Sequence, residues 1–264
     1  MLELGEGNEK TIIGVVHLLP LPGSPDFEDM DSVVDRAFSD ADILVKNGVD
    51  ALIVENYGDK PFLKKVSRMT VSSLSVICSK INDEFDVPIG INVLRNDWKS
   101  ALSIAKTLEL SFIRVNVYTG SCRTPEGYIE GESGNIQRFR REHDIDTSIF
   151  ADIQVKHGDT IYPRDIESSA RAAFERGLAD ALIVSGELTG ASASMEDIKK
   201  AKNNVNVPVL AGSGVDEKNV DEVLTHCDGA IIGTFFKKKG ITSNPVSEER
   251  AKTLMMKVNN HDSI

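Results

Sequence analysis

The chain is short of cysteine, of long apolar runs and of positive charge, and each shortage removes a class of function. Its three cysteines, Cys78, Cys122 and Cys227, are odd in number and lack CxxC spacing, so neither a disulfide framework nor a thiolate zinc site is expected, and a reducing compartment is. No apolar run approaches the roughly 20 residues needed to cross a bilayer, and the polar, acidic stretch 1–10 does not read as a signal peptide. The expectation is a soluble, cytoplasmic protein without an integral membrane segment. A net charge of −11 argues against nucleic acid as a partner. The best basic patch, Lys237-Lys238-Lys239, is too short for a polynucleotide track. The first apolar run passes into His17-Leu18-Leu19-Pro20 and not into a glycine fingerprint, which counts against a dinucleotide-binding open sheet.

What is present is a repeating alternation. Short β-branched runs recur at Ile12–Val16, Ala51–Val54, Ile89–Val93, Phe112–Val117, Ile149–Val155, Ala181–Val184, Val209–Ala211 and Ala230–Ile232. Amphipathic stretches lie between them, among them Met30–Lys46, Val66–Asn82, Trp98–Leu108, Arg164–Arg176, Met195–Asn203 and Glu217–His226. Eight strand-then-helix units in 264 residues predict an α/β fold, a single (β/α)8 TIM barrel of the phosphate-binding type. The domain is expected to take in 1–264, with 1–10 a polar extension and 260–264 a tail. An internal echo accompanies the count: Gly48-Val49-Asp50-Ala51-Leu52-Ile53-Val54 resembles Leu178-Ala179-Asp180-Ala181-Leu182-Ile183-Val184, four strands later. Either the two halves are related, or this string suits any helix-to-strand turn.

Active sites of such barrels gather at the C-terminal ends of the strands. Those ends carry His17, Glu55 with Asn56, Asn92 to Arg95, Asn116 with Tyr118, Lys156 with His157, Ser185 with Gly186, Gly212 to Gly214, and Gly233 with Thr234. Side chains alternate across a strand. In Phe112–Tyr118 and Ala151–Lys156 the aliphatic positions claim the helix-facing side. Arg114, Asn116, Tyr118, Asp152, Gln154 and Lys156 are left for the interior, where Arg114 and Asp152 must pair.

Lys156, at the mouth, suits a base, a Schiff-base nucleophile or an anion-binding group. Glu55, His17 and Asp152 complete the catalytic candidates. Asn56, Asn92, Arg95, Asn116, Tyr118, His157, Ser185 and Gly186 are candidates for orienting a substrate. The glycine turns after strands seven and eight, with Gly212, Ser213, Gly214, Gly233 and Thr234, are expected to hold a phosphate through backbone N–H groups and the helix N-termini that follow. No cofactor is assigned. His17, Glu55, Asp152 and His157 together could chelate a divalent metal, although no HxH or HExxH spacing supports it. The segment from Tyr118 to Gly134 is long for a βα loop and reads as a binding loop or lid, from which Arg123 could reach the site.

Several of these strings resemble one family. The run Ile13-Gly14-Val15-Val16-His17-Leu18-Leu19-Pro20-Leu21-Pro22-Gly23-Ser24-Pro25 looks like the opening motif of the BtpA family, which includes SgcQ-type proteins. The likeness continues through Val54–Phe62, Gly90–Asp97, Phe112–Asn116, Ala151–His157, Val184–Gly186 with Thr189-Gly190, and Gly212–Val215. It implies a phosphate-binding TIM barrel and says less about activity: some members are associated with photosystem I biogenesis, and others suggest carbohydrate metabolism. Two readings follow. One is an enzyme acting on a small phosphorylated sugar or nucleoside-like metabolite, by lyase, isomerase or glycosyl-transfer chemistry. The other is a non-catalytic assembly factor or phosphometabolite sensor. Homo-oligomerisation is open in both.

Overall fold

A computed structural model gives the architecture; it describes residues 4, 10–153, 159–160, 165–186 and 193–261. Eight parallel strands close into a barrel: β1 (Thr11–His17), β2 (Ala51–Glu55), β3 (Ile89–Asn92), β4 (Phe112–Val115), β5 (Ser148–Asp152), β6 (Ala181–Val184), β7 (Val209–Ala211) and β8 (Gly229–Ile232). Each strand pairs with the next in sequence, and β8 returns to β1 through Thr11 to Gly14 against Gly229 to Ile232. The helices are α1 (Met30–Lys46), α2 (Arg68–Glu84), α3 (Trp98–Leu108), α4 (Ser133–Glu142), α5 (Ile166–Arg171, continued as a π-helical turn over Ala172–Arg176), α6 (Met195–Lys202), α7 (Val220–His226) and α8 (Glu248–His261).

Strand parity separates two apolar layers, as alternation requires. One face, with Ile12, Val16, Leu52, Val54, Ile113 and Val115, packs on the helices. The other, with Ile13, Val15, Ile53, Phe112, Phe150, Ile183, Leu210 and Ile231, fills the barrel. The rings of Phe112 and Phe150 stack inside it with centroids 4.5 Å apart. Gly90 makes room for them: a Cβ there would lie 2.3 Å from Phe112.

The echoed string has a structural job. Asp50, just before β2, accepts a hydrogen bond from the backbone N of Ile12 at 2.6 Å. Asp180, just before β6, does the same for Ile149 at 2.7 Å. Asp228, just before β8, repeats it for Val209 at 2.7 Å. Each carboxylate thus brackets the start of the preceding strand to the start of the next.

Several element boundaries differ from expectation. β4 stops at Val115 and β5 at Asp152, so both are shorter than their apolar patterns; α2 and α7 begin later, at Arg68 and Val220. The segment expected as a long loop is instead a hairpin, Ser121–Thr124 against Gly127–Glu130, with Asp159–Thr160 added beside it as a third short strand. Lys237 is no part of a basic surface patch. It is wholly buried and donates to Asp40, also wholly buried, at 2.7 Å. Arg36 and the backbone N of Val246 complete the ring around that carboxylate. Burial pulls the Lys237 pKa down even with Asp40 beside it.

Candidate functional site

The last inward positions of the strands meet in one cavity of about 650 Å³ at the C-terminal mouth. Its floor is a polar triad in the barrel interior. Arg114 grips Asp152 through Nε (3.0 Å to Oδ2) and Nη2 (2.9 Å to Oδ1), and Asn116 Nδ2 donates to the same carboxylate at 2.8 Å. Burial opposes the Arg114 charge, but Asp152 more than offsets it, and the guanidinium pKa ends above its ordinary value. Ser185 Oγ stands 3.3 Å from Asp152 Oδ1. Three side chains therefore converge on Asp152 through four donor atoms, and its first task is to organise the floor.

One wall carries His17 and Glu55, neighbours in register across β1 and β2. His17 Nε2 stands 3.8 Å from Glu55 Oε1, and the His17 ring meets Tyr57 edge-on at 4.9 Å. Asn92 Nδ2 donates to Glu55 Oε2 at 2.6 Å, which leaves the other carboxylate oxygen toward the histidine. Asn92 is absent from the cavity wall and acts from behind Glu55.

The adjoining wall, from the ends of β7 and β8, holds the glycine turns. Gly212, Ser213, Gly214, Gly233 and Thr234 all line the cavity. Gly214 has φ of +68°, a conformation that side-chain-bearing residues rarely adopt. The turn is braced by Asn219, whose Nδ2 donates to the Gly214 carbonyl at 2.8 Å. Gly233 is there for space: a Cβ would lie 2.6 Å from the His17 ring. This close approach puts the histidine beside the glycine cup.

Helix N-termini contribute less to the cup than expected. α7 begins only at Val220, and a short 3-10 turn, Thr234–Phe236, follows β8. The cation of the cup is instead Arg250, from α8, which the sequence reading missed. Its Nε donates to the Phe235 carbonyl, and its guanidinium lies 4.2 Å from the centre of the Phe235 ring. Its two Nη groups have no hydrogen-bond partner among the described residues. A fixed guanidinium with open donors is suited to an anion.

The rim opposite the cup is closed by the hairpin tip. Pro125 and Glu126 line the cavity, and Glu126 Oε2 faces Arg95 Nε at 3.8 Å. Arg123, three residues before Glu126, is exposed and does not line the cavity. Tyr57, Lys60 and Phe62 from the β2 loop complete the edge, with Lys60 Nζ 4.0 Å from the centre of the Tyr57 ring.

Three expected substrate-orienting residues do other work. Tyr118 is turned away from the mouth because β4 has already ended. Its OH donates to the Gly177 carbonyl and accepts from Gln137 Nε2 at 2.9 Å, and burial pushes its pKa to about 12. Asn56 is a buried clamp, accepting from Leu94 N at 2.7 Å and donating to Asp59 at 3.0 Å. Gly186 donates its N–H to Ser213 Oγ at 2.8 Å, tying the β6 turn to the β7 turn. Gln154, Lys156, His157, Thr189 and Gly190 lie outside the described residues. Among the described residues no three His, Cys, Asp or Glu side chains cluster as a metal site would require, and no helix is long and apolar enough to cross a membrane.

Comparison with known proteins bears on the family and the fold. The BtpA family matches residues 8–260. An uncharacterized protein of Archaeoglobus fulgidus is 46% identical over 247 residues, covering 94% of this chain and 98% of its own. The photosystem I biogenesis protein BtpA of Synechocystis is 39% identical, covering 92% of this chain and 86% of its own. Among solved structures, (S)-3-O-geranylgeranylglyceryl phosphate synthase from Thermoplasma acidophilum, in complex with sn-glycerol-1-phosphate, superposes with a TM-score of 0.60 at 13% identity, covering 96% of this chain and 94% of that one. Thiamine phosphate pyrophosphorylase from Pyrococcus furiosus gives 0.59 at 14% identity, covering 96% and 98%. These two likenesses establish a shared fold.

Proposed function

The chain belongs to the BtpA family, and on that premise we propose that it is an enzyme acting on a small phosphorylated sugar or nucleoside-like metabolite. The observation that carries this is one cavity with two chemically distinct walls. The glycine cup and Arg250 offer donors to a phosphate, and His17 with Glu55 stands beside them as an acid–base pair. The solved barrels of like fold include a thiamine phosphate pyrophosphorylase and a geranylgeranylglyceryl phosphate synthase, which fits the same use of the mouth.

In this reading Gly212, Ser213 and Gly214 shape the wall against which the phosphate sits, the Gly233–Thr234 turn offers it N–H bonds, and Arg250 adds charge-assisted bonds. Anchoring at one end holds the reacting carbon near the adjoining His17–Glu55 wall. His17, kept in place by Glu55, moves the proton; Asn92 sets the carboxylate, and the Arg114–Asp152–Asn116 floor orients hydroxyls. Lys156, four positions after Asp152 in the sequence, is assigned a second proton-transfer or anion-binding role.

Titration with inorganic phosphate and a panel of phosphate monoesters, read by thermal shift, tests this. A ligand at about 100 times its Kd adds ~2.7 kcal/mol to the native state. Gly214→Val and Arg250→Ala should each remove that gain. His17→Ala should keep it but abolish turnover of whichever ester is converted, and Lys156→Ala should abolish turnover, losing the gain as well if the lysine binds the anion. No shift across the panel would sink the reading.

The name of the Synechocystis relative favours a second reading, a non-catalytic assembly or stability factor. It requires that the cavity variants leave the protein's cellular role intact. A sensor would keep binding and show no turnover.

A further inference from the structure

Asn116 is 6% exposed and lines the cavity. Its Nδ2 faces the Asp152 carboxylate, which can only accept, so the amide orientation is fixed and Oδ1 is the atom turned away. That buried Oδ1 has no hydrogen-bond partner among the described residues. Glu126 Oε2, at the hairpin tip, is also buried without a hydrogen bond; its 3.8 Å approach to Arg95 is an ion pair too long to be one. Two buried acceptors thus face the same cavity, neither in the glycine cup. An acceptor left unmade in this way is expensive, and the cost is recovered when a donor arrives.

We propose that Glu126 and Asn116 select the substrate's non-phosphorylated end by accepting hydrogen bonds from it, so that the substrate is a phosphate monoester of a polyol or aldose and not of an alkyl, prenyl or aryl alcohol. The proposal deepens the phosphosugar reading and rests on it for the phosphate end. Arg95 Nε stands 3.8 Å from Glu126 Oε2, and a carboxylate acceptor binds O–H donors more strongly than a neutral amide does. Glu126 is a specificity-determining residue, and it reaches the cavity only because the segment after β4 folds as a hairpin whose turn residues, Pro125 and Glu126, come back over the mouth.

The test compares polyol and aldose phosphates of three to six carbons with alkyl phosphates of equal chain length, measuring Kd by calorimetry. Inorganic phosphate reports on the cup alone. In the wild type at least one hydroxylated ester should bind about 10-fold or more tighter than its alkyl counterpart, the ratio expected for a hydrogen bond to a charged group. Glu126→Ala should remove most of that ratio while inorganic phosphate and the alkyl esters keep their Kd. Glu126→Gln, which retains one acceptor oxygen, should restore part of it. The proposal is overturned if hydroxylated and alkyl esters bind alike. It is equally overturned if Glu126→Ala weakens all ligands by one common factor, as a purely structural role would. Should no phosphate compound bind at all, the phosphate reading falls by itself. The unphosphorylated polyols at high concentration then decide: Glu126-dependent binding keeps the hydroxyl-selecting role of Glu126, and none overturns it.

Discussion

At the scale of single residues, the barrel interior is an exercise in placing charge where it can be answered. Arg114 and Asp152 are each less than a tenth exposed and hold one another through two hydrogen bonds. Removing one partner strands the other in low dielectric. Asp152→Ala should therefore cost about 3–5 kcal/mol in denaturant unfolding, and a loss under 1 kcal/mol would show that water reaches Arg114 freely. This pair was legible from strand parity alone, because the aliphatic alternates left no other side for the polar set. Tyr118 was not. The same parity, carried past Val115, gave it the wrong face, since nothing in the local sequence marks where β4 loses its hydrogen-bonded neighbour. Arg250 and Glu126 were invisible for another reason. They reach the mouth from α8 and from a hairpin tip, and only tertiary placement brings such positions to the ends of the strands.

Among the elements, the barrel count was legible and the loops were not. β-branched runs announce strands wherever both faces are buried, so all eight strands fell within a few residues of their expected places. The segment after β4 is rich in Gly, Ser and Thr and reads as a loop, yet it pairs as a hairpin because Thr124 Oγ1 and the cross-strand bonds close a short turn. The echoed Asp-Ala-Leu-Ile-Val string also acquires a local explanation. Its aspartate brackets two strands, and a third copy of the bracket, at Asp228, lies outside the echo. The recurrence therefore follows from a repeated joint and needs no shared ancestry of the two halves. Asp180 accepts from Ile149 N and also pairs with Arg140 at 3.0 Å. Asp180→Ala leaves the partly buried Ile149 N–H without its acceptor and should destabilise by about 1–3 kcal/mol, with ligand affinities unchanged. Loss of affinity without loss of stability would contradict the bracket's structural role.

Over the whole molecule, alkaline pH is the condition that should loosen the fold. Burial raises the Cys78 thiol from 9.0 to about 12 and the Tyr118 phenol from 10.0 to about 12. Both groups stay protonated in the native chain at pH values where the unfolded chain has ionised. Their contribution is complete below about pH 9, and it is lost as pH rises toward the folded-state values. Unfolding free energy should thus decline between pH 9 and 10 chiefly through buried thiols. Cys78→Ala should flatten that decline by up to about 1.4 kcal/mol per pH unit; an identical slope in the variant would refute the assignment.

The aspartate brackets sit where the strands begin, and the cavity sits where they end. The barrel is hooped at its base like a cask, while its lip is held by separate loop-to-loop ties such as Gly186 to Ser213 and Asn56 to Leu94. Libraries that randomise only cavity-edge side chains, at Tyr57, Lys60 and Phe62, at Pro125 and Glu126 of the hairpin tip and at Phe235, leave every hoop intact. Their members should retain a folded barrel far more often than equally dense libraries drawn around Asp50, Asp180 and Asp228. The same division gives this chain a place to acquire new specificities at little risk to its architecture.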